Sequence, residues 1–280
     1  MRYDMLIFDL DGTLYEDPRV YDRYARELSR FLPAGQRAAY LKDWRQARAG
    51  RGVARVGLGY DRGQDRLFRF TGDTISGFID WDGSEVHAGD QAMQRNDVPL
   101  FGGDRVFIGD HWGLPETLAI HYGVAQADRA GAFLSTRAWM SSEKYTLATT
   151  PELHATLAAL AAAGARLAAL SNSPVDTVDD VLRRLGVRDL FATIAASSNK
   201  PAGLLRFLQE QGAGERVLCV GDHYVNEIAP ALLLGCHALY IDRHHTGLGT
   251  GSPNCTHVES IGEALDWLRT LAAADDRRSR

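Results

Sequence analysis

A chain of 280 residues, 45% hydrophobic and 24% charged, can bury a sizeable core and reads as a globular protein of one large or two smaller domains. Its formal net charge of -5 offers no basic excess that would draw it to nucleic acid or to an anionic membrane surface. Three cysteines, Cys219, Cys236 and Cys255, form no CxxC pair, which argues against a disulfide framework or a cysteine-rich zinc site and fits a reducing cytoplasm.

The first element is a short apolar run broken by acids, "MLIFDLD", the pattern of a buried strand and not of a secretory signal. No run of the same character follows until about Ala165, so the residues between read as an insertion. The insertion begins helical: "PRVYDRYARELSRFL" puts Val20, Tyr24, Leu28 and Phe31 on one face, and "QRAAYLKDWRQARAG" continues alike. Its middle is rich in Gly and Asp, with "FIDWDGSEVH" predicting a hairpin around Asp82-Gly83. Helices resume in "LPETLAIHYG" and "DRAGAFLSTRAWMSS". Within this segment Arg45, Arg48, Arg51, Arg55, Arg62, Arg66 and Arg69 form a basic run, partly balanced by Asp43, Asp61 and Asp65. It reads first as a solvated face; a substrate with a second anionic group would instead be gripped by one or two of Arg48, Arg51 and Arg55.

Beyond residue 149 helical and strand signals alternate. Thr150 and Pro151 predict a helix start before a stripe through Leu153, Leu157 and Leu160; "ARLAALSNS" follows as a strand. The stretch "LHATLAALAAAGARLAAL" is too polar and interrupted to span a bilayer. Ser173 and Pro174 predict the next helix start, with a stripe through Val178, Val181, Leu182 and Leu185. Then come the strand "LFATIAAS", the helix "PAGLLRFLQEQG", the strand "RVLCVGD", the short helix "NEIAPALLLG" and the strand "HALYIDR". Ser260 and Glu263 predict a capping box for the last helix, and the "DDRRSR" tail reads as frayed. Continuous apolar strands separated by helices predict an α/β, Rossmann-like core, a parallel sheet covered on both faces.

Open parallel sheets place their chemistry at the strand ends. The first strand ends in Asp9 and Asp11, two apart and so on one side of the chain, a pair of carboxylates that needs a cation or a shared proton. The second ends in "LSNS", offering Ser171 near a helix start. Lys200 follows the third, and the fourth supplies Asp222, Asn226 and Glu227.

"DLDGTLY", "LSNS", "NKP" and "GDHYVNEI", in this order, resemble the four motifs of the haloacid dehalogenase-like hydrolase superfamily over residues 3–15 and 149–242. The resemblance implies a catalytic core of residues 1–15 and 149–280 and, at 16–148, a mostly helical cap of the first type. It also implies roles. Asp9 would be the nucleophile and Asp11 the general acid and base. Ser171, Asn172 and Lys200 would bind phosphoryl oxygens, and the Mg2+ site would be built from Asp9, the Asp11 carbonyl and Asp222, with Glu227 holding a metal-bound water. In this family the last acid of the fourth motif is more often Asp.

The activity implied is a magnesium-dependent, cytoplasmic phosphatase acting on a small phosphorylated metabolite through an aspartyl-phosphate, with no nucleic-acid or membrane partner and the oligomeric state open. A phosphomutase of the same superfamily and a non-catalytic binding domain are the alternatives. Haloacid dehalogenases proper lack the second aspartate, and a phosphonate hydrolase would need a cap lysine, for which Lys42 and Lys144 are available. A near-repeat, "VFIGDHWGLPE" against "LCVGDHYVNEI", is resolved by order: the second copy is the fourth motif, whereas the first lies in the insertion and leads into Gly113, Leu114 and Pro115. Asp110, His111 and Trp112 of the first copy are left as a face that could meet substrate. Cys219 reads as a small buried hydrophobe.

Overall fold

The computed structural model describes residues 2–71, 74–87, 101–150 and 152–276. It divides into two compact units, Met1–Asp17 with Ala138–Arg280, and Pro18–Arg137. In chain order, strand β1 (Met5–Phe8) precedes helices α1 (Pro18–Ser29) and α2 (Ala34–Arg48). Strands β2 (Gly59–Asp61), β3 (Arg66–Thr71), β4 (Thr74–Ile79), β5 (Glu85–His87) and β6 (Arg105–Phe107) come next, then α3 (Gly113–His121) and α4 (Gln126–Met140). The remainder runs α5 (Glu152–Ala162), β7 (Arg166–Leu170), α6 (Val175–Arg184), β8 (Thr193–Ala195), α7 (Ala202–Gln211) and β9 (Val217–Gly221). It closes with α8 (Ala229–Leu233), β10 (His237–Ile241), β11 (Cys255–Val258) and α9 (Ile261–Asp276). Among the described residues no helix is long and apolar enough to cross a membrane.

The first unit is built on a six-stranded sheet of order β11-β10-β9-β1-β7-β8, parallel at every pairing. Every residue of β1 and β9 is buried, as continuous apolar strands covered on both faces require. Met5, Ile7, Ala168, Leu170, Val217 and Cys219 pack with Leu204 and Leu208 of α7 and Ala231 of α8. Phe8 pairs with both Ala169 and Val220, so β1, β7 and β9 end level with one another. After β1 the chain builds outward through β7 and β8, then crosses back to β9 on the other flank. That reversal of strand order is where an open α/β sheet leaves a crevice at its carboxyl edge.

Three local readings shift. Pro174, not Ser173, occupies the cap position of α6, at φ -58° and ψ 152°, which frees the Ser173 side chain for another partner. Before α9 the Ser260 hydroxyl accepts from the Glu263 N–H at 3.2 Å as expected, but the Glu263 carboxylate accepts from Glu259, one residue earlier than a reciprocal box requires. β11, "CTHV", was not foreseen, because a half-buried edge strand of mixed polarity carries no apolar signature. Pro151 and the last residues of the tail lie outside the described residues.

The second unit sets its helices beside a five-stranded antiparallel sheet of order β5-β4-β3-β2-β6. The predicted hairpin is present, with Ile79 opposite Glu85. β2, β3 and β6 are short and studded with Gly, Asp and Arg, so only their packing marks them as strands. One cluster joins Tyr60, Leu67 and Ile79 to Tyr24, Leu28, Tyr40, Trp44, Leu114 and Leu118 of the helices. A second gathers Phe68, Ile75 and Phe78 with Phe70 and Phe101. Gly59 lies directly opposite Phe68, and a Cβ there would overlap the ring.

Candidate active site

At the carboxyl edge of the parallel sheet the structure gathers Asp9, Lys200, Asp222 and Glu227, each buried to within 9% of full exclusion. Asp9 leaves β1 with its N–H on the Val220 carbonyl at 3.0 Å, which locks the residue to β9. The Lys200 ammonium lies 2.5 Å from Asp9 Oδ1 and 2.8 Å from Glu227 Oε1. Burial, with the nearby Glu227 and Asp11 charges adding to it against the opposing pull of Lys200, pushes the Asp9 carboxyl up to about 7. Burial pulls the Lys200 ammonium down, yet the charges and hydrogen bonds of Asp9 and Glu227 outweigh it and hold its pKa above the usual lysine value.

Asp11 sits beside this cluster in a tight loop, with the Gly12 N–H donating to the Tyr15 carbonyl at 2.8 Å. The Tyr15 hydroxyl donates to Asp11 Oδ1, and the Ser173 hydroxyl donates to Asp11 Oδ2 at 3.3 Å. Gly12 has a φ of +79°, and a Cβ on it would overlap the Asp222 carboxylate, so this turn of the first motif is tied to the fourth.

The second and third motifs are bound to one another. Asn172 Oδ1 accepts from the Lys200 N–H at 2.7 Å and from the Ser198 hydroxyl at 3.3 Å, so its side chain holds the Lys200 segment against the end of β7. The Ser171 hydroxyl, buried, accepts from the Ser173 N–H at 3.1 Å. In the fourth motif Tyr224–Ile228 forms a π-helical turn, and His223 Nδ1 accepts from the Asn226 N–H at 3.1 Å. The turn swings Glu227 back so that its Oε2 accepts from the His223 N–H at 2.8 Å.

Arg243, immediately past β10, was not singled out in the sequence. Its guanidinium donates to Asp222 Oδ2 at 3.0 Å and to the Gly12 carbonyl, and lies 3.4 Å from Glu16. A charged residue just beyond an apolar core strand was the available signal. Tyr15 was legible only as the end of the first motif, and Ser173 only as a helix cap.

Carboxylate oxygens of Asp9, Asp222 and Glu227 lie within 4.8 Å of one another. Hard oxygen donors converging on a buried point fit a divalent cation such as magnesium. Lys200 and Arg243 already offset part of the cluster's negative charge, which keeps the acids together at neutral pH.

Most of the other residues flagged in the sequence lie in the second unit, several of them with partners there. Asp110 Oδ1 accepts from the N–H groups of Trp112 at 2.9 Å and Gly113 at 2.6 Å, so the first Gly-Asp-His caps α3. His111 and Trp112 pack edge-on against Tyr21, and the Arg137 guanidinium lies 4.3 Å over the Trp112 ring. In the basic run Arg48 pairs with Asp22, Arg66 with Asp80 at 2.7 Å and Arg69 with Glu85 at 2.6 Å, while Arg51 and Arg55 are exposed. Cys219 is buried, and burial raises its thiol well above the ordinary value, which makes it inert.

A strand-end aspartate pair, a buried lysine and a two-acid fourth motif stand together at the carboxyl edge of an open parallel α/β sheet. A family model described as haloacid dehalogenase-like hydrolase matches residues 3–235, and the chain belongs to that family. No curated protein sequence matches it. Among solved structures, the HAD-hydrolase YfnB of Bacillus subtilis, bound to magnesium, is similar at 16% identity and TM-score 0.52, over 96% of this chain and 100% of that one. A haloacid dehalogenase-like family hydrolase from Xanthomonas campestris is similar at 16% identity and TM-score 0.50, over 99% of each chain. An L-2-haloacid dehalogenase from Xanthobacter autotrophicus aligns over 95% of this chain and 98% of its own, at 17% identity and TM-score 0.46.

Proposed function

We propose that the protein is a magnesium-dependent phosphatase that hydrolyses a phosphomonoester of a small metabolite through an aspartyl-phosphate on Asp9. The observation that carries this reading is Asp11: a second carboxylate two residues from the nucleophile, held on both oxygens by the Tyr15 and Ser173 hydroxyls. A dehalogenase has no need of a proton donor there, because its leaving group is halide. An Asp9 oxygen attacks phosphorus, the bond to the ester oxygen breaks, and Asp11 protonates that oxygen as it leaves. Asp11, now ionised, takes a proton from water; the hydroxide attacks phosphorus, phosphate departs, and the Asp9 carboxylate is restored. Lys200 and the Ser171 hydroxyl oppose the charge on the phosphoryl oxygens, and the Asn172 side chain holds Lys200 in place for that duty. A cation held by Asp9, Asp222 and Glu227 would add positive charge against the same oxygens. In this reading the unit Pro18–Arg137 selects the substrate.

The test is turnover of a synthetic aryl phosphate and of a 2-haloacid by the wild type and by Asp9→Asn. Phosphate release that needs magnesium and vanishes in Asp9→Asn is expected, with no halide release. Halide release, or undiminished phosphate release by Asp9→Asn, would overturn the reading.

A further inference from the structure

Each carboxylate of the cluster has at least one oxygen already engaged by a protein donor. Asp9 Oδ1 and Glu227 Oε1 face the Lys200 ammonium, and Glu227 Oε2 accepts from the His223 N–H. Asp222 Oδ2 faces Arg243, whose guanidinium is largely buried at 13% side-chain exposure and braced on the Gly12 carbonyl and Glu16. A cation approaching Asp222 meets the guanidinium's positive charge at Oδ2 and is steered to the other oxygen.

The difference between the two common hard cations turns on this point. Magnesium is small and strict, and takes single oxygens at near-octahedral positions. Calcium takes more ligands and readily accepts both oxygens of one carboxylate. Resting on the metal-centre reading above, we infer that Arg243 is a positioning residue that sets ion selectivity: it restricts Asp222 to one donor oxygen and so favours magnesium over calcium. The brace makes the restriction firm. The guanidinium is held from three sides, by the Gly12 carbonyl, Asp222 and Glu16, and the Gly12 backbone lies close against the Asp222 carboxylate.

Calorimetric titration of magnesium chloride and calcium chloride into the wild type and Arg243→Ala tests this without turnover. Loss of one positive charge strengthens the attraction for both ions alike, so the ratio of their affinities isolates the effect of the freed oxygen. The magnesium-to-calcium affinity ratio is expected to fall by about tenfold or more in Arg243→Ala, in the range of residues that orient metal ligands. Should that variant fail to fold, Arg243→Gln carries the same expectation, since its amide can keep the Gly12 carbonyl without a charge beside Asp222. A folded variant whose ratio stays within about twofold of wild type overturns the inference alone. Absence of magnesium binding to the wild type overturns the metal-centre reading, and the inference with it.

Discussion

Asp110 and Asp222 share the setting Gly-Asp-His, yet one accepts two backbone N–H groups and the other a guanidinium. The partners dictate opposite consequences. Asp110→Ala removes a helix cap and should lower stability by about 0.5–2 kcal/mol, seen as a lower thermal midpoint, with kcat and KM for an aryl phosphate unchanged. Asp222→Asn keeps the size of the side chain but removes the charge that the proposed function sets against the cation, and kcat should drop by about 100-fold or more. Steady-state kinetics and melting curves of the two variants check both; a reversal of the two effects would misplace the fourth motif. At this scale the sequence was strong where a residue's position follows from a strand end, as for Asp9, and weak where one side chain has two uses. Ser173 could cap α6 or reach Asp11, and only the placement of Pro174 and of the loop after β1 selects the second.

Among the elements, β2 and β3 show what pattern cannot supply. Their pairing places the Phe68 ring over Gly59, and Phe70, Phe78 and Phe101 surround that ring with centroids at 6.0–6.3 Å. Phe68 therefore has no open side to turn to. Gly59→Ala should cost about 1–3 kcal/mol by overpacking, measured as a lower urea midpoint. Combined with Phe68→Ala, which itself opens the space, the two losses should add to clearly less than their sum; strict additivity would show that the ring is not what excludes a side chain at Gly59. The helices of the same unit were readable because their apolar stripes run for several turns, whereas three-residue strands present too few positions for alternation to register.

For the molecule as a whole, the buried acid cluster couples folding to protonation and, under the proposed function, to metal. Burial pushes the Asp9 carboxyl up to about 7 in the folded chain, against about 3.9 for an unfolded one. A raised carboxyl pKa means that the folded state binds this proton more tightly, so Asp9 lends stability at low pH that is lost as pH rises from about 4 to about 7. Lys200 stays charged across that window, because its own pKa is raised. A cation needs the ionised carboxylate and offsets the same loss. The rise in thermal midpoint on adding a fixed concentration of magnesium should therefore be larger at pH 8 than at pH 5.5. An equal or larger rise at the lower pH would contradict the proposed role of Asp9 in holding the ion.

The order of apolar strands and the acids at their ends were written in the sequence, because a strand buried on both faces must be continuously apolar and a functional carboxylate must interrupt it at a fixed edge. "MLIFDLD", "ARLAALSNS" and "RVLCVGD" carry that information locally, and with it the parallel core and the positions of Asp9, Ser171 and Asp222. What the tertiary structure alone decided is which side chains close on those acids. Arg243 is 231 residues from the Gly12 carbonyl it binds, and Ser173 is 162 from Asp11. No local periodicity encodes such pairs; they follow from β1 lying between β7 and β9 with all three strands ending level, which brings loops distant in sequence to one edge.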